Sequence, residues 1–233
     1  MAIHSNYLVN LASMDPEVRP KSIRSFRGEL ERAALLGAEY LVLHPGNYKN
    51  QLLEQGVDAF VLGLAEAASG LALPGLTVLL ENTAGSGNQI GSRFEELRLI
   101  RELAAPATHV PIGYCLDTCH LLAAGFDIAS ESGLNSTLLS ADEVLGFDLV
   151  RMIHANDSKG TLGSHLDRHE NIGKGNIGET AFRRLLTHPF LKDKPFILET
   201  PVDDDEQARR DINALKRLSG LRRPRKPASR SAT

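Results

Sequence analysis

An α/β fold of the TIM type, a (β/α) barrel represented by about six of its eight βα units, is what three features of the sequence predict. Short apolar runs alternate with longer amphipathic stretches along the chain. The runs are almost continuously apolar, as expected of strands covered on both faces in a parallel sheet. The runs also carry residues able to bind metal at intervals of one βα unit: His44, Glu81, Asp117, His154 and Glu199 toward their ends, with His4 near the start of the first. A barrel gathers all its strand C-termini at one mouth, whereas an open sheet spreads them along an edge. Convergent chemistry therefore favours the barrel.

In chain order, strands are expected within 3–11, 39–46, 76–83, 112–119, 149–156 and 195–201. The spacing of Ile23, Phe26, Leu30 and Ala34 predicts a helix over 20–36, stopped by Gly37. Ser140 and Glu143 have capping-box spacing and predict a helix start just before Val144 and Leu145. The last helix is expected to open in the acidic run 203–206, beside the positive end of its dipole. It would place Ala208, Ile212 and Leu215 on one stripe.

Hydrophobic residues make up 42% and charged residues 24% of the 233, the composition of an ordinary soluble globular protein. The N-terminus lacks the basic and apolar regions of a signal peptide, and no run is long enough to span a bilayer. A cytoplasmic protein with no membrane partner is expected. One domain should cover 1–218. Beyond it, 219–233 holds Arg222, Arg223, Arg225, Lys226 and Arg230 among Pro and Ser with no acid, a composition that predicts a disordered basic tail. The net charge of −3 gives no global nucleic-acid signal. Cys115 and Cys119 are too few for a disulfide framework and read as small buried residues.

Three further candidates sit in loops beside the strand-end residues. His120 follows Asp117 at D-x-x-H spacing, and Asp167 and His169 form D-x-H in a long polar loop. Imidazole and carboxylate donors without thiolate suit zinc, manganese or iron at a catalytic site. Nine donors exceed what one ion takes, so three ions with one bridging carboxylate are expected. Without cations, four carboxylates in one mouth should repel and raise some of their pKa values. Three divalent ions would make the mouth positive and suited to phosphate. His109, His165 and His188 lack this setting and read as surface or structural. Gly173, Gly175 and Gly178 spell G-x-G-x-x-G, but a charged loop rather than a strand precedes them. The dinucleotide reading fails, and the glycines are expected to shape the loop that carries Asp167 and His169.

The segments LHPGN, LLENTAGSGNQIG, CLDTCHLLAAGFD, MIHANDSKGTLGSHLDRHENIGKGNIG and ILETP resemble, in the same order, those of the endonuclease IV family of apurinic/apyrimidinic endonucleases (deoxyribonuclease IV). The resemblance runs from His4 to about Leu218. It implies a trinuclear zinc site in which His4, His44 and Glu81 hold the first ion. Glu81 bridges to the second, completed by Asp117, His154 and Glu199, while His120, Asp167 and His169 hold the third. Glu81 would also orient or deprotonate the attacking water. The implied activity is hydrolysis of double-stranded DNA on the 5′ side of an abasic site, leaving a 3′-hydroxyl. Tyr7 matches an aromatic that inserts near the flipped-out nucleotide, although a rim tyrosine packing on the barrel is the plainer reading. Family members carry two βα units ahead of the segment that matches at His4, so an incomplete gene model is expected. A complete barrel would be a monomer, and the chain as given would leave two sheet edges open to aggregation. Two other readings stand beside this one. They are a sugar isomerase or epimerase on the same barrel, with one or two ions, and an inactive remnant that binds zinc or DNA without turnover.

Overall fold

The computed structural model describes residues 1–220, so nearly all of the expected basic tail lies outside the described residues. Six parallel strands form one curled sheet in sequence order, each step made by a helical crossover: β1 (Ala2–His4), β2 (Tyr40–Leu43), β3 (Thr77–Glu81), β4 (Ile112–Asp117), β5 (Val150–His154) and, after a small hairpin, β8 (Phe196–Ile197). The helices are α1 (Val18–Leu35), α2 (Leu53–Ala68), α3 (Phe94–Ala104), α4 (Thr118–Ala124), α5 (Glu131–Leu145), α6 (Gly178–Thr187) and α7 (Asp205–Leu218). This is the expected partial TIM barrel, with β1 and β8 as its two edges among the described residues. The hairpin pairs β6 (Asp157–Ser158) with β7 (His169–Glu170) antiparallel, apart from the main sheet. None of the described helices is long and apolar enough to cross a membrane.

Strand alternation sorts the apolar residues into two layers. Leu41 and Leu43, Val78 and Leu80, and Tyr114 and Leu116 join the large core against the helices, with Phe26, Phe60, Phe94 and Phe182 fully buried there. Val42, Leu79, Cys115 and Met152 form a separate inner layer, against which Ala2, Tyr40 and Ile197 pack. The inner positions 2, 42, 79, 115, 152 and 197 each lie two residues before one of the six strand-end donors. An apolar floor therefore sits directly beneath them, on the same face of the sheet.

Several elements differ from expectation. The first run is strand only over Ala2–His4, because Val9 and Leu11 turn away into the helix-side core. The last is strand only at Phe196–Ile197, flanked by Pro195 and Pro201, which lack the amide hydrogen a ladder needs. The expected capping box at Ser140 is not a helix start. Ser140 lies inside α5, whose N-cap is Ser130, its hydroxyl accepting from Gly133 N at 3.1 Å. In α1 the inward residue of the last turns is Ala33 rather than Ala34. In α7 Asp204 is the N-cap, as the acidic run suggests, but Ile212 is exposed and the buried stripe runs through Asp211 and Leu218. The helix turns its Asp211 carboxylate inward to accept from Asn171 Nδ2 at 2.8 Å and Ile172 N at 3.2 Å, which rotates Ile212 outward.

Candidate metal centre

The six strand-end donors stand above the inner apolar layer at one end of the sheet. Glu81 is fully buried at their centre. Its Oε2 lies 2.9 Å from His4 Nε2 and 3.5 Å from His44 Nε2, and its Oε1 lies 2.8 Å from His154 Nδ1. Glu199 Oε2 reaches the same His154 nitrogen at 3.1 Å. Asp117 accepts the backbone amide of His120 at 2.7 Å, so the N-cap of α4 fixes both residues at once. On the far side, Asp167 Oδ1 lies 3.2 Å from His120 Nε2 and 3.5 Å from His169 Nε2. His4, His44, His120 and His169 follow one another with ring centroids 5.4 Å apart, and His154 stands 5.8 Å from His4. All nine sequence candidates thus meet in one mouth.

The hydrogen bonds fix which ring nitrogen faces the mouth. A carbonyl oxygen only accepts, so His4 Nδ1 donates to Ser5 O at 2.7 Å, His120 Nδ1 to Asn82 O at 2.9 Å and His169 Nδ1 to Glu199 O at 3.1 Å. Each ring then turns its Nε2 into the mouth, where it can offer a lone pair once its proton leaves, the arrangement by which proteins hold metal-binding imidazoles. Buried His120 Nε2 and His169 Nε2 have no hydrogen-bond partner, and both point at Asp167 Oδ1. Three donors aimed at one point fit a cation. Metal-ligating geometry recurs at His4–His44–Glu81, at His4–His154–Glu199 and at His120–Asp167–His169. The donor set is hard to intermediate in character and suits zinc or a similar divalent ion.

The charges are not arranged as expected from the sequence. Rather than repelling one another upward, Glu81, Asp167 and Glu199 alternate with imidazoles and titrate low. Burial opposes the Glu81 charge, but His44, His154 and His4 outweigh it and hold its pKa well below the ordinary value. Burial likewise opposes charge on Glu199, and His154 overrides it. His120, whose Nε2 lies 3.2 Å from Asp167 Oδ1, is the main cause of the low Asp167 pKa. The rings respond in the opposite sense. Burial works against charging His120, yet Asp117, Asp167 and Glu81 raise it to about 10. His154 and His4 are also raised, whereas burial dominates at His44 and lowers it. Without ions, trapped protons compensate the carboxylates.

Comparison with known proteins places this geometry. Residues 1–218 match the family model described as a xylose isomerase-like TIM barrel. A curated relative from Solibacter usitatus, named probable endonuclease 4, is 60% identical over 224 residues, covering 96% of this chain and 77% of its own. The chain belongs to the endonuclease IV family. Another member, from Halothermothrix orenii, is 43% identical, covering 86% of this chain and 71% of its own. The crystal structure of endonuclease IV from Thermus thermophilus superposes with a TM-score of 0.78 at 39% identity, covering 93% of this chain and 74% of that one. A D-tagatose 3-epimerase-like protein shares the fold at 21% identity and a TM-score of 0.69.

In this endonuclease IV chain, sequence reasoning missed the residues that hold the donors. Asn82 accepts from Asp117 N at 2.7 Å and returns a bond from Nδ2 to Asp117 O at 3.3 Å. Asn156 donates from Nδ2 to Asp117 Oδ2 and accepts from Glu199 N at 2.8 Å, tying two donors from different strands. Asp157, also missed, is fully buried. An asparagine immediately after a strand-end Glu81, and an Asn-Asp pair just past His154, were the available signals. Cys115 and Cys119 are buried and free, as expected. Burial pushes both thiols up to about 12, and each lies beside the donors, Cys115 with Glu81 and His154 and Cys119 with Asp117 and His169. His109 and His165 bond the carbonyls of Leu71 and Ala84, and His188 caps α6. Tyr7 is 86% exposed in the turn after β1, so it does not pack on the barrel, and Leu8 beside it is also exposed.

Proposed function

We propose that this endonuclease IV chain is a zinc-dependent DNA repair nuclease that cleaves the phosphodiester on the 5′ side of an abasic deoxyribose. The observation that carries the reading is the convergence of nine donors on three adjoining sites around one buried carboxylate. His4, His44 and Glu81 would hold one ion. Asp117, His154 and Glu199 would hold a second, which shares Glu81, and His120, Asp167 and His169 would hold a third. When bound, the ions supply Lewis acidity, drawing charge from the phosphate oxygens and making water acidic enough to attack at neutral pH. In the reaction, the water oxygen bonds to phosphorus as the bond to the preceding 3′ oxygen breaks. That oxygen takes a proton and leaves as the 3′-hydroxyl, and the phosphate stays on the abasic sugar.

Glu81 stays ionised because its pKa is held low, so its part is to orient the water by charge rather than to store its proton. The apolar floor at Val42, Leu79, Cys115 and Met152 keeps bulk water from beneath the donors, which strengthens every charge interaction above it. A sugar isomerase needs no third ion, and the His120–Asp167–His169 group favours the nuclease. Wild-type protein should carry about three zincs and cut a duplex with one abasic analogue. A protein with one zinc or none, or with isomerase but no nuclease activity, would refute the assignment.

Tyr7, exposed in the turn after β1, would serve as a wedge or stacking surface for the opened duplex. Aromatic stacking on a base is worth about 1–3 kcal/mol, so Tyr7→Ala should raise KM for abasic duplex about 5–150-fold while kcat changes little. An unchanged KM would return Tyr7 to the plain surface.

A further inference from the structure

The glycine-rich run Gly173–Gly178 has the spacing of a phosphate cradle, yet its amides already point at an anion. The Asp157 carboxylate is fully buried inside the loop. Its Oδ1 accepts from Ser158 N at 2.8 Å and Ile177 N at 2.9 Å, and its Oδ2 accepts from Gly173 N at 2.9 Å and Gly178 N at 3.2 Å. Helix α6 has no side-chain cap of its own at Ile177, so Asp157 supplies from a distant strand what a local N-cap would. The acceptor also sits at the positive end of that helix. Gly175 makes the close approach: a Cβ there would lie 2.3 Å from Ser158 O and 2.5 Å from Asp157 Oδ1. Gly173 and Gly178 have φ of 79° and 78°, which side-chain-bearing residues rarely adopt.

This cradle adjoins the donor His169. In the β6–β7 hairpin Asp157 lies opposite Glu170 and Ser158 opposite His169, and the loop leaves directly from that strand. We propose that Asp157 is a positioning residue, an internal anion around which the glycine loop closes so that His169 is held toward His120 and Asp167. The proposal rests on the metal-centre reading above, and only one of the three ions depends on it. Outer partners of metal ligands commonly contribute 10–100-fold to ion affinity. In Asp157→Asn the loop amides meet an amide NH2 in place of one carboxylate oxygen, and the cradle opens.

The test titrates zinc into metal-free wild type, Asp157→Asn, Asp157→Ala and Gly175→Ala against a competing chelator, and follows amide exchange of Gly173, Ile177 and Gly178 in the metal-free proteins. The expected result is one ion weakened about 10–100-fold in each variant with two unchanged, and faster exchange at those three amides. Formate should restore the weak ion in Asp157→Ala, a response that general loss of stability would not give. Wild-type affinity for all three ions in Asp157→Asn overturns the proposal. So does parallel weakening of all three, or loss of folding in both Asp157→Asn and Gly175→Ala, since either makes the role one of folding alone. Fewer than three ions in wild type would instead count against the metal-centre reading. In that case unchanged exchange in the variants still refutes the cradle.

Discussion

Glu81→Gln should lower abasic-site cleavage by about 10³-fold or more, a larger loss than any other single donor gives. The carboxylate touches three histidines from three strand ends, each within 3.5 Å, and it is the donor that the first two ions would share. Glutamine keeps the shape but not the charge. Its NH2 cannot bind a cation, and in the metal-free protein it would face a protonated ring nitrogen, so at least one contact turns repulsive. Two of the three ions should weaken together, because both lean on this residue, while the His120–Asp167–His169 ion is retained. Zinc analysis beside single-turnover cleavage reads both effects. A variant with full activity and three ions would refute the bridging role, and loss of all three ions would mean that the sites are not separable.

Metal removal is expected to make stability fall with pH above neutrality. In the metal-free protein, His120 has a folded pKa of about 10 against an ordinary 6.5. The stability contributed by its proton is fully present below 6.5 and is lost as pH rises through about 10. Glu81, Glu199 and Asp167 are depressed, so their contribution is present above the ordinary carboxylate values and is lost as pH falls through the folded ones. Metal-free protein should therefore be most stable in mildly acidic solution and lose melting temperature steadily toward about pH 10. Bound ions replace the protons, so loading at about pH 7 releases protons and flattens the alkaline decline. At a hundredfold excess over Kd each site adds about 2.7 kcal/mol, or roughly 5–10 °C for a domain of this size. Calorimetry in buffers of different ionisation enthalpy counts the protons. A metal-free melting curve that is flat from pH 6.5 to about 10 would contradict the trapped-proton account. His120→Ala should remove much of the decline along with one ion.

What could be read in the sequence were the features with short range. Apolar runs located all six strands of the sheet, and their regular spacing brought six donors to one mouth, with His120, Asp167 and His169 added from the adjoining loops. Features that depend on distant partners were not legible. Ser140 and Glu143 have capping spacing, but so does any i, i+3 pair within a helix, and only the path of the chain at Ser130 shows where α5 begins. The carboxylates could be counted but not placed, so repulsion was expected where the fold interleaves them with imidazoles. The G-x-G-x-x-G run was rejected as a cofactor motif on its flanks. Its true occupant, Asp157, lies 16 residues before Gly173 and 21 before Gly178 and has no motif of its own.

The wide separation of the donors has a consequence for the order of assembly. His4 and Glu81 are 77 residues apart and Glu81 and His154 are 73 apart, so neither ion that shares Glu81 has its donors close in sequence. The set at His4, His44 and Glu81 would meet once β3 has docked, whereas the set at Asp117, His154 and Glu199 would wait for β5 and β8. A nascent chain emerging from the ribosome presents scattered imidazoles with no high-affinity pocket among them. The set at His120, Asp167 and His169 is more local and can meet once the fourth and fifth crossovers have folded. A complete three-ion centre would thereby form late and report completion of the sheet, and a chain stalled partway would lack it.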